Sequence, residues 1–283
     1  MNFSANLLDL TIVIPVKNDA IALDQCLQAI GLNFAKEIVV IDSGSLDDTK
    51  LTAYKYQTTF IDFIWDGQFP KKRNWFLLNY PPKTTWILFL DADENLTEEF
   101  KTAIRLALTN SSEYVGFWLR YSIYFMGKPL KGGYPLHKLA LFKVGAGLYE
   151  KIEEENWSKL DMEIHEHPIL NGKLGLIKPK IEHCDYRAIY HYISKHNEYA
   201  KWEAHRLVKN LTSTNFKQNF TWKQKLKYKL VQTPFIGPFY FFGSYIFMGG
   251  FLDGLRGFIF AVLKMSYFFQ VYINIKEIKQ REE

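Results

Sequence analysis

Four short apolar runs recur about every 25 residues at the start of the chain: Leu10–Ile14, Glu37–Ile41, Phe60–Trp65 and Trp86–Leu90. Helix-like segments lie between them at Ala20–Ile30, Asp47–Gln57 and Lys72–Asn79. This alternation limits the fold more than any other feature, because strands joined by helices make βαβ units and hence a parallel sheet. The runs are apolar throughout, as strands covered on both faces must be. A further helix is predicted from Thr97, with Thr as N-cap and Glu98 and Glu99 in its first turn.

From about residue 113 the pattern changes. Tyr114–Met126 and Lys138–Lys143 read as strands, and Gly132-Gly133 and Gly145–Gly147 as turns. Residues 187–210 and 221–230 read as helical. Val231–Leu252 is 22 residues without a formal charge, long enough to cross a bilayer, but it contains two Pro and four Gly and is followed by Asp253 and Arg256.

Composition removes several classes. With 48% hydrophobic and 23% charged residues the 283-residue chain is not a disordered one. The net charge is +5, yet residues 201–230 alone carry eight Lys/Arg against one Glu. The charge is therefore one basic surface on a slightly acidic protein, which argues against a general nucleic-acid binder. Cys26 and Cys184 are too few for a disulfide framework or a four-Cys zinc site, and a reducing compartment is expected. The first residues have no basic segment ahead of their apolar stretch, so no signal peptide is expected, and Asn95, Asn210 and Asn219 are chance glycosylation matches. Neither G-x-G-x-x-G after the first strand nor G-x-x-x-x-G-K-[ST] occurs, which disfavours dinucleotide-dependent dehydrogenases and P-loop NTPases.

Ligands of an open parallel sheet bind beyond the carboxyl ends of its strands. Those ends read Pro15-Val16-Lys17-Asn18-Asp19, Asp42-Ser43-Gly44-Ser45-Leu46-Asp47-Asp48 and Asp91-Ala92-Asp93-Glu94. Carboxylates thus recur at one sheet edge, a costly clustering unless a cation or a donor-rich ligand sits there. Asp91 and Asp93 end a dry strand, and hard ions such as Mg²⁺ and Mn²⁺ are held by one or two carboxylates plus substrate phosphates. A lone D-x-D also fits helix capping; its register with the other strand-end motifs favours a site. Asp42 can cap a turn or accept hydrogen bonds from a base or ribose.

Together I-P-V-K-N, V-V-I-D-S-G-S-L-D-D-T, K-K-R-N-W and W-I-L-F-L-D-A-D-E resemble the family 2 glycosyltransferases, in particular the WaaE-like lipopolysaccharide-core and polysaccharide subgroup. The likeness continues through G-G-Y-P (132–135), L-A-L-F-K (139–143), I-H-E (164–166), Lys195-His196-Asn197 and G-F-L-D-G-L-R-G-F (250–258), covering nearly the whole chain. It implies a GT-A fold, α/β with a Rossmann-like, mostly parallel sheet. It implies a catalytic domain over 1–185 (nucleotide-sugar half 1–110, acceptor half 111–185) and a helical, aromatic-rich extension over 186–283. The implied reaction is inverting transfer from a nucleotide diphosphate sugar, a UDP-sugar first, to a hydroxyl of a lipopolysaccharide-core or other lipid-linked glycan. Pro15, Lys17 and Asn18 would lie beside the nucleotide and Asp42 would face the base. Arg73 and Asn74 would lie near the nucleotide or diphosphate, Asp91 near the ribose or sugar, and Asp93 on Mg²⁺ or Mn²⁺. Glu166 would be the base that takes the acceptor proton, with His165 orienting it or touching diphosphate. Leu136 and Ala140 stand where the subgroup often carries Asp and Arg; if that Arg binds diphosphate or acceptor phosphate, Lys138 or Lys143 must substitute for it, or the substrate differs.

At the other end, Trp222-Lys-Gln-Lys-Leu-Lys-Tyr-Lys-Leu meets the uncharged aromatic stretch. Basic and aromatic residues side by side suit an anionic membrane surface. Monotopic attachment is expected ahead of a buried helical hairpin or dimer interface, and a span comes last. An enzyme peripheral on the cytoplasmic face of a bacterial inner membrane is the resulting expectation. Two alternatives stay open: a nucleotidyltransferase, for which Pro15–Asp19 supplies no Gly-rich basic loop, and a membrane-bound GT-A-like scaffold without catalysis.

Overall fold

The computed structural model describes residues 7–109, 112–152, 154, 160–163, 167–185, 187–212, 226 and 228–282. The chain forms two compact units: the residues up to Tyr124 with Leu136–Asp185, and Phe125–Pro135 with Tyr186–Glu283.

The elements of the first half are β1 (Leu8–Val16), α1 (Ala20–Ile30), β2 (Ala35–Asp42), α2 (Thr49–Lys55) and β3 (Thr59–Asp62). Next come α3 (Lys72–Asn79), β4 (Trp86–Phe89), β5 (Glu94–Asn95), α4 (Glu98–Thr109) and β6 (Tyr114–Phe125). There follow β7 (Lys128–Pro129), β8 (Leu136–Lys143), β9 (Gly147–Tyr149), β10 (Pro168–Leu170) and β11 (Lys173–His183). The helical part holds α5 (Ile189–Thr212), α6 (Ile236–Phe242) and α7 (Gly254–Glu282).

In the first unit the strands lie in the order β3-β2-β1-β4-β8-β6-β11-β5. The four runs that open the chain pair in parallel, β3 with β2, β2 with β1 and β1 with β4. β8 is antiparallel to both β4 and β6, which breaks the parallel run in mid-sheet. β1 shows why both faces are apolar. Leu10, Ile12 and Ile14 point to one face and pack with Leu23, Cys26, Leu27 and Ile30 of α1. Val13 points to the other and packs with Val39, Ile87, Phe76 and Phe142. The Thr97 hydroxyl accepts the Phe100 N–H at 3.1 Å, which starts α4 at Glu98. β9 and β10 form a separate antiparallel pair.

The second unit is helical. Ala200, Ala204, Leu207 and Val208 of α5 pack with Ile236 of α6 and with Tyr267, Val271 and Ile275 of α7. The uncharged stretch 231–252 does not form one long helix. It breaks into α6, a π-helical turn (Gly243–Phe247) and a 3₁₀ turn (Gly250–Asp253), with Gly249 at φ +73° between the two turns. Among the described residues one helix is long and apolar enough to cross a membrane, and it lies further on, over Gly250–Arg281. Pro and Gly weaken helix where hydropathy alone reads a span.

Candidate active site

The parallel ladder brings three strand ends to one edge. Val16 pairs with Asp42, and Val13 pairs with Phe89, two residues before Asp91. Beyond β1, Asn18 adopts a left-handed φ of 50°. Its N–H donates to Ser45 Oγ at 2.7 Å and its Oδ1 accepts from the Leu46 N–H at 2.7 Å. Asp42 is buried; its Oδ2 accepts the Ser45 N–H at 2.8 Å and its Oδ1 the Ser45 hydroxyl. The D-S-G-S turn is therefore held by Asp42 and tied to the β1 loop. Pro15 is buried and Lys17 is exposed at the rim.

The K-K-R-N run opens α3, and every member is buried with a specific partner. Lys71 pairs with Glu154, and Lys72 Nζ lies 3.3 Å from Asp161. Burial holds the Lys72 ammonium below its usual range, with Asp161 opposing. Arg73 Nη2 donates to Asp91 Oδ1 at 2.7 Å and Nη1 to the Glu163 carbonyl. Asn74 is fully buried: its Nδ2 donates to the Tyr149 carbonyl at 3.0 Å, and its Oδ1 accepts the Tyr149 N–H at 2.8 Å. The orphan amides at the start of α3 are met from far along the chain. Glu163 Oε2 accepts the Arg73 N–H at 2.9 Å and Oε1 the Asn74 N–H at 3.0 Å. A carboxylate at a helix N-terminus also meets the positive end of the dipole. Glu154, Asp161 and Glu163 are thus each tied to the start of α3.

Behind the rim sits a compact charge network. β8 runs antiparallel to β4 with Leu141 opposite Leu88, so continuing the ladder brings Lys138 towards Asp91. Lys138 Nζ lies 2.6 Å from Asp91 Oδ2 and 2.5 Å from Glu94 Oε1. Glu94 Oε2 accepts the Asp91 N–H at 3.1 Å. Burial pushes the Asp91 carboxyl up, but Lys138 and Arg73 outweigh burial and hold it well below the usual range. Burial pushes Glu94 up to about 8, with Lys138 opposing and Asp91 and Asp93 adding to the rise. Burial would lower Lys138, but the two carboxylates keep it well above its ordinary value. Among the described residues two buried atoms next to this network find no partner, Arg73 Nε and the Tyr121 hydroxyl, and Lys138 lies 5.1 Å from the Tyr121 ring.

Asp93 is buried, and its Oδ1 lies 3.6 Å from His183 Nε2. Pairing of β11 with β5 sets that distance, because His183 stands opposite Glu94 and the Cys184 N–H donates to the Asp93 carbonyl at 2.7 Å. Among the described residues no three His, Cys, Asp or Glu side chains surround one point.

The structure brings Pro15, Lys17, Asn18, Asp42, Arg73, Asp91, Asp93 and Lys138 to this edge and turns Asn74 inward onto β9. Lys143 lies at the opposite end of β4, 5.4 Å from the Trp86 ring, while Leu136 is half-buried and Ala140 is buried. Glu166 and His165 lie outside the described residues. Sequence reading took Glu94 only as one of the strand-end carboxylates and gave no place to Glu163, Tyr149 or His183. A cavity of about 350 Å³ lies beside α3, lined by Trp65, Phe69, Lys71, Asn74, Glu154 and Glu163 among others; neither Asp91 nor Asp93 lines it.

Residues 11–132 match the family described as Glycosyl transferase family 2. The chain is a glycosyltransferase with a family 2 domain. It is similar to the lipopolysaccharide core biosynthesis glycosyltransferase LpsC of Rhizobium meliloti (strain 1021), 27% identical over 93% of this chain and 89% of that one. An uncharacterized glycosyltransferase of Rickettsia felis is 24% identical over 94% and 92%. Among solved structures, the mannosyltransferase PcManGT from Pyrobaculum calidifontis, in complex with GDP-Man and Mn²⁺, superposes with a TM-score of 0.53 at 12% identity, covering 96% of this chain and 88% of that one. The glycosyltransferase therefore has a GT-A-like fold, with a helical, aromatic-bearing C-terminal part.

Proposed function

We propose that this glycosyltransferase moves a sugar, with inversion, from a nucleotide diphosphate sugar to a hydroxyl of a lipopolysaccharide-core or other lipid-linked glycan. A UDP-sugar is the donor we favour, and the cytoplasmic face of a bacterial inner membrane the place. The observation that carries the reading is the convergence of Asp42, Asp91 and Asp93 at the carboxyl ends of β2 and β4, inside a family 2 domain. LpsC, whose name records lipopolysaccharide core biosynthesis, supports the acceptor class.

In this reading Asp42 receives the base, and Pro15, Lys17 and Asn18 line the nucleotide. Asp93 and His183 together offer one carboxylate and one imidazole, a donor set that fits one divalent ion if the donor's diphosphate supplies the remaining oxygens. The carboxylate suits Mg²⁺ or Mn²⁺, and the imidazole beside it tilts the choice to Mn²⁺, the ion in the PcManGT complex. When bound, such an ion neutralises charge developing on the leaving diphosphate. Arg73 and Lys138 hold Asp91 ionised and immobile at the rim, where it can accept hydrogen bonds from ribose or sugar hydroxyls. Glu166 takes the proton of the attacking hydroxyl, with His165 orienting it or touching diphosphate; Glu163, three residues earlier in the sequence, is itself held on α3.

Turnover of a UDP-sugar panel with Mn²⁺ tests the reading. Asp93→Asn should lose at least a hundredfold in kcat with its folding unchanged. Glu166→Gln should lose transfer while keeping donor affinity. Near-normal transfer by Asp93→Asn removes the metal assignment; lost donor binding with intact turnover in Glu166→Gln removes the base. Pyrophosphate release from a nucleoside triphosphate would point to the nucleotidyltransferase instead.

A further inference from the structure

The second unit inverts the usual surface pattern at one end. Gly237 of α6 packs against the Met265 backbone of α7, so the two helices form a hairpin with its tip at residues 243–256. Close backbone approaches of Gly250 to Ser244 and of Gly257 to Gly250 keep the tip narrow. Phe242, Ile246, Phe247, Phe251, Leu252 and Leu255 are all exposed there, Phe247 to 86% and Leu255 to 72%. The acid of the tip, Asp253, is folded inward. Its carboxylate accepts the Lys131 N–H at 2.9 Å and the Gly132 N–H at 3.0 Å, and Arg256 lies 4.0 Å away. A charge turned in and a continuous set of large apolar side chains turned out mark a surface built for something other than water.

We infer that this tip inserts into the interfacial layer of an anionic lipid membrane, tip first, without the chain crossing it. Charge complementarity picks the occupant. The loop that Asp253 grips carries Lys128 and Lys131, both exposed, and Arg256 stands three residues beyond Asp253. Basic residues near an apolar, aromatic wedge favour anionic headgroups over a neutral surface or an apolar protein partner. Packing favours tip-first insertion over a span. α7 packs along α5, which carries Lys195, Glu198, Lys201, Glu203, Arg206 and Lys209, so taking α7 through hydrocarbon would carry these charges with it at high cost. The inference rests on the membrane half of the proposed function and not on the chemistry of transfer.

The test uses the full chain and preformed vesicles of phosphatidylcholine with or without phosphatidylglycerol. Cys26 and Cys184 are buried, so a cysteine introduced at the surface takes an environment-sensitive fluorophore selectively. Phe247→Cys should shift to the blue with phosphatidylglycerol vesicles, and Ile273→Cys, far along α7, should not. Phe247→Ser with Leu255→Ser should lower vesicle partitioning at least tenfold, since each lost side chain is worth about that factor. Raised salt should weaken binding further. Four outcomes overturn the inference: no shift at Phe247; equal shifts at Phe247 and Ile273, which mean a span; binding indifferent to phosphatidylglycerol; or a dimer that Phe247→Ser dissociates, which means a second copy covers the tip. Donor hydrolysis in vesicle-free buffer separates the two readings. Its persistence without vesicle binding leaves the transferase standing and removes the docking surface. Vesicle binding without hydrolysis does the reverse.

Discussion

Replacing Lys138 by methionine removes the cation shared by Asp91 and Glu94 and keeps the apolar stem of the side chain. The cost can be worked from the contacts. Lys138 reaches Asp91 at 2.6 Å and Glu94 at 2.5 Å, and its side chain is 29% exposed, which weakens but does not erase both pairs. A hydrogen bond to a charged group contributes about 1.5–3 kcal/mol. Arg73 still neutralises Asp91 in the variant. With Glu94 pushed up to about 8, only the Asp91 contact is fully ionic at pH 6.5, and the expected loss is about 2 kcal/mol. At pH 9 the wild-type Glu94 is ionised against Lys138, whereas in the variant, without that cation, its carboxyl rises further and keeps its proton; the ionic contact is then lost as well, and the loss should rise to about 3–4 kcal/mol. A double-mutant cycle with Glu94→Gln should then give coupling near zero at pH 6.5 and about 2 kcal/mol at pH 9. Hydrogen exchange of peptides covering residues 86–96 reads the opening free energy of this unit separately from the helical one. Losses below about 1 kcal/mol at both pH values, with no coupling, would mean that Lys138 is solvated and that the network does not hold the rim.

Asn74→Leu should destabilise the first unit by about 2–5 kcal/mol, because it leaves the buried N–H and carbonyl of Tyr149 unpaired; thermal unfolding reads it, and a change under 1 kcal/mol would show that water reaches β9. The pH dependence has a definite sign. Between its ordinary value of 4.5 and about 8, native Glu94 keeps a proton that the unfolded chain has released, so its contribution to stability falls as pH rises through that window. Glu94→Gln should remove this slope, and an unchanged slope would assign it to another group. Asp91 acts the other way: its contribution is present above about 3.8 and is lost as pH falls further.

Local patterns made the parallel half of the sheet legible. Runs such as Leu10–Ile14 name themselves, since an apolar stretch between turn residues has few other uses. Asp42 with Ser45 could also be read, because that turn closes over three residues. What the sequence hid is long-range. Nothing near Arg73 announces that Glu163 accepts its N–H from 90 residues away, and nothing near Asp91 announces Lys138, which depends on the antiparallel register of β8. His183 reaches Asp93 only because β11 returns beside β5. The 231–252 stretch misleads for the opposite reason: a hydropathy run registers composition, whereas helix continuity depends on where Gly and Pro fall.

The loop Phe125–Pro135 belongs with the helical unit although it sits in sequence between β6 and β8, and Asp253 grips its backbone at Lys131 and Gly132. The polypeptide therefore changes unit three times. A chimaera that swaps the helical unit between relatives must exchange this loop together with everything after Asp185. Cutting at a single junction would hand the incoming helices a stranger's hairpin, and the mismatch would be paid in misfolding before any catalytic question could be asked.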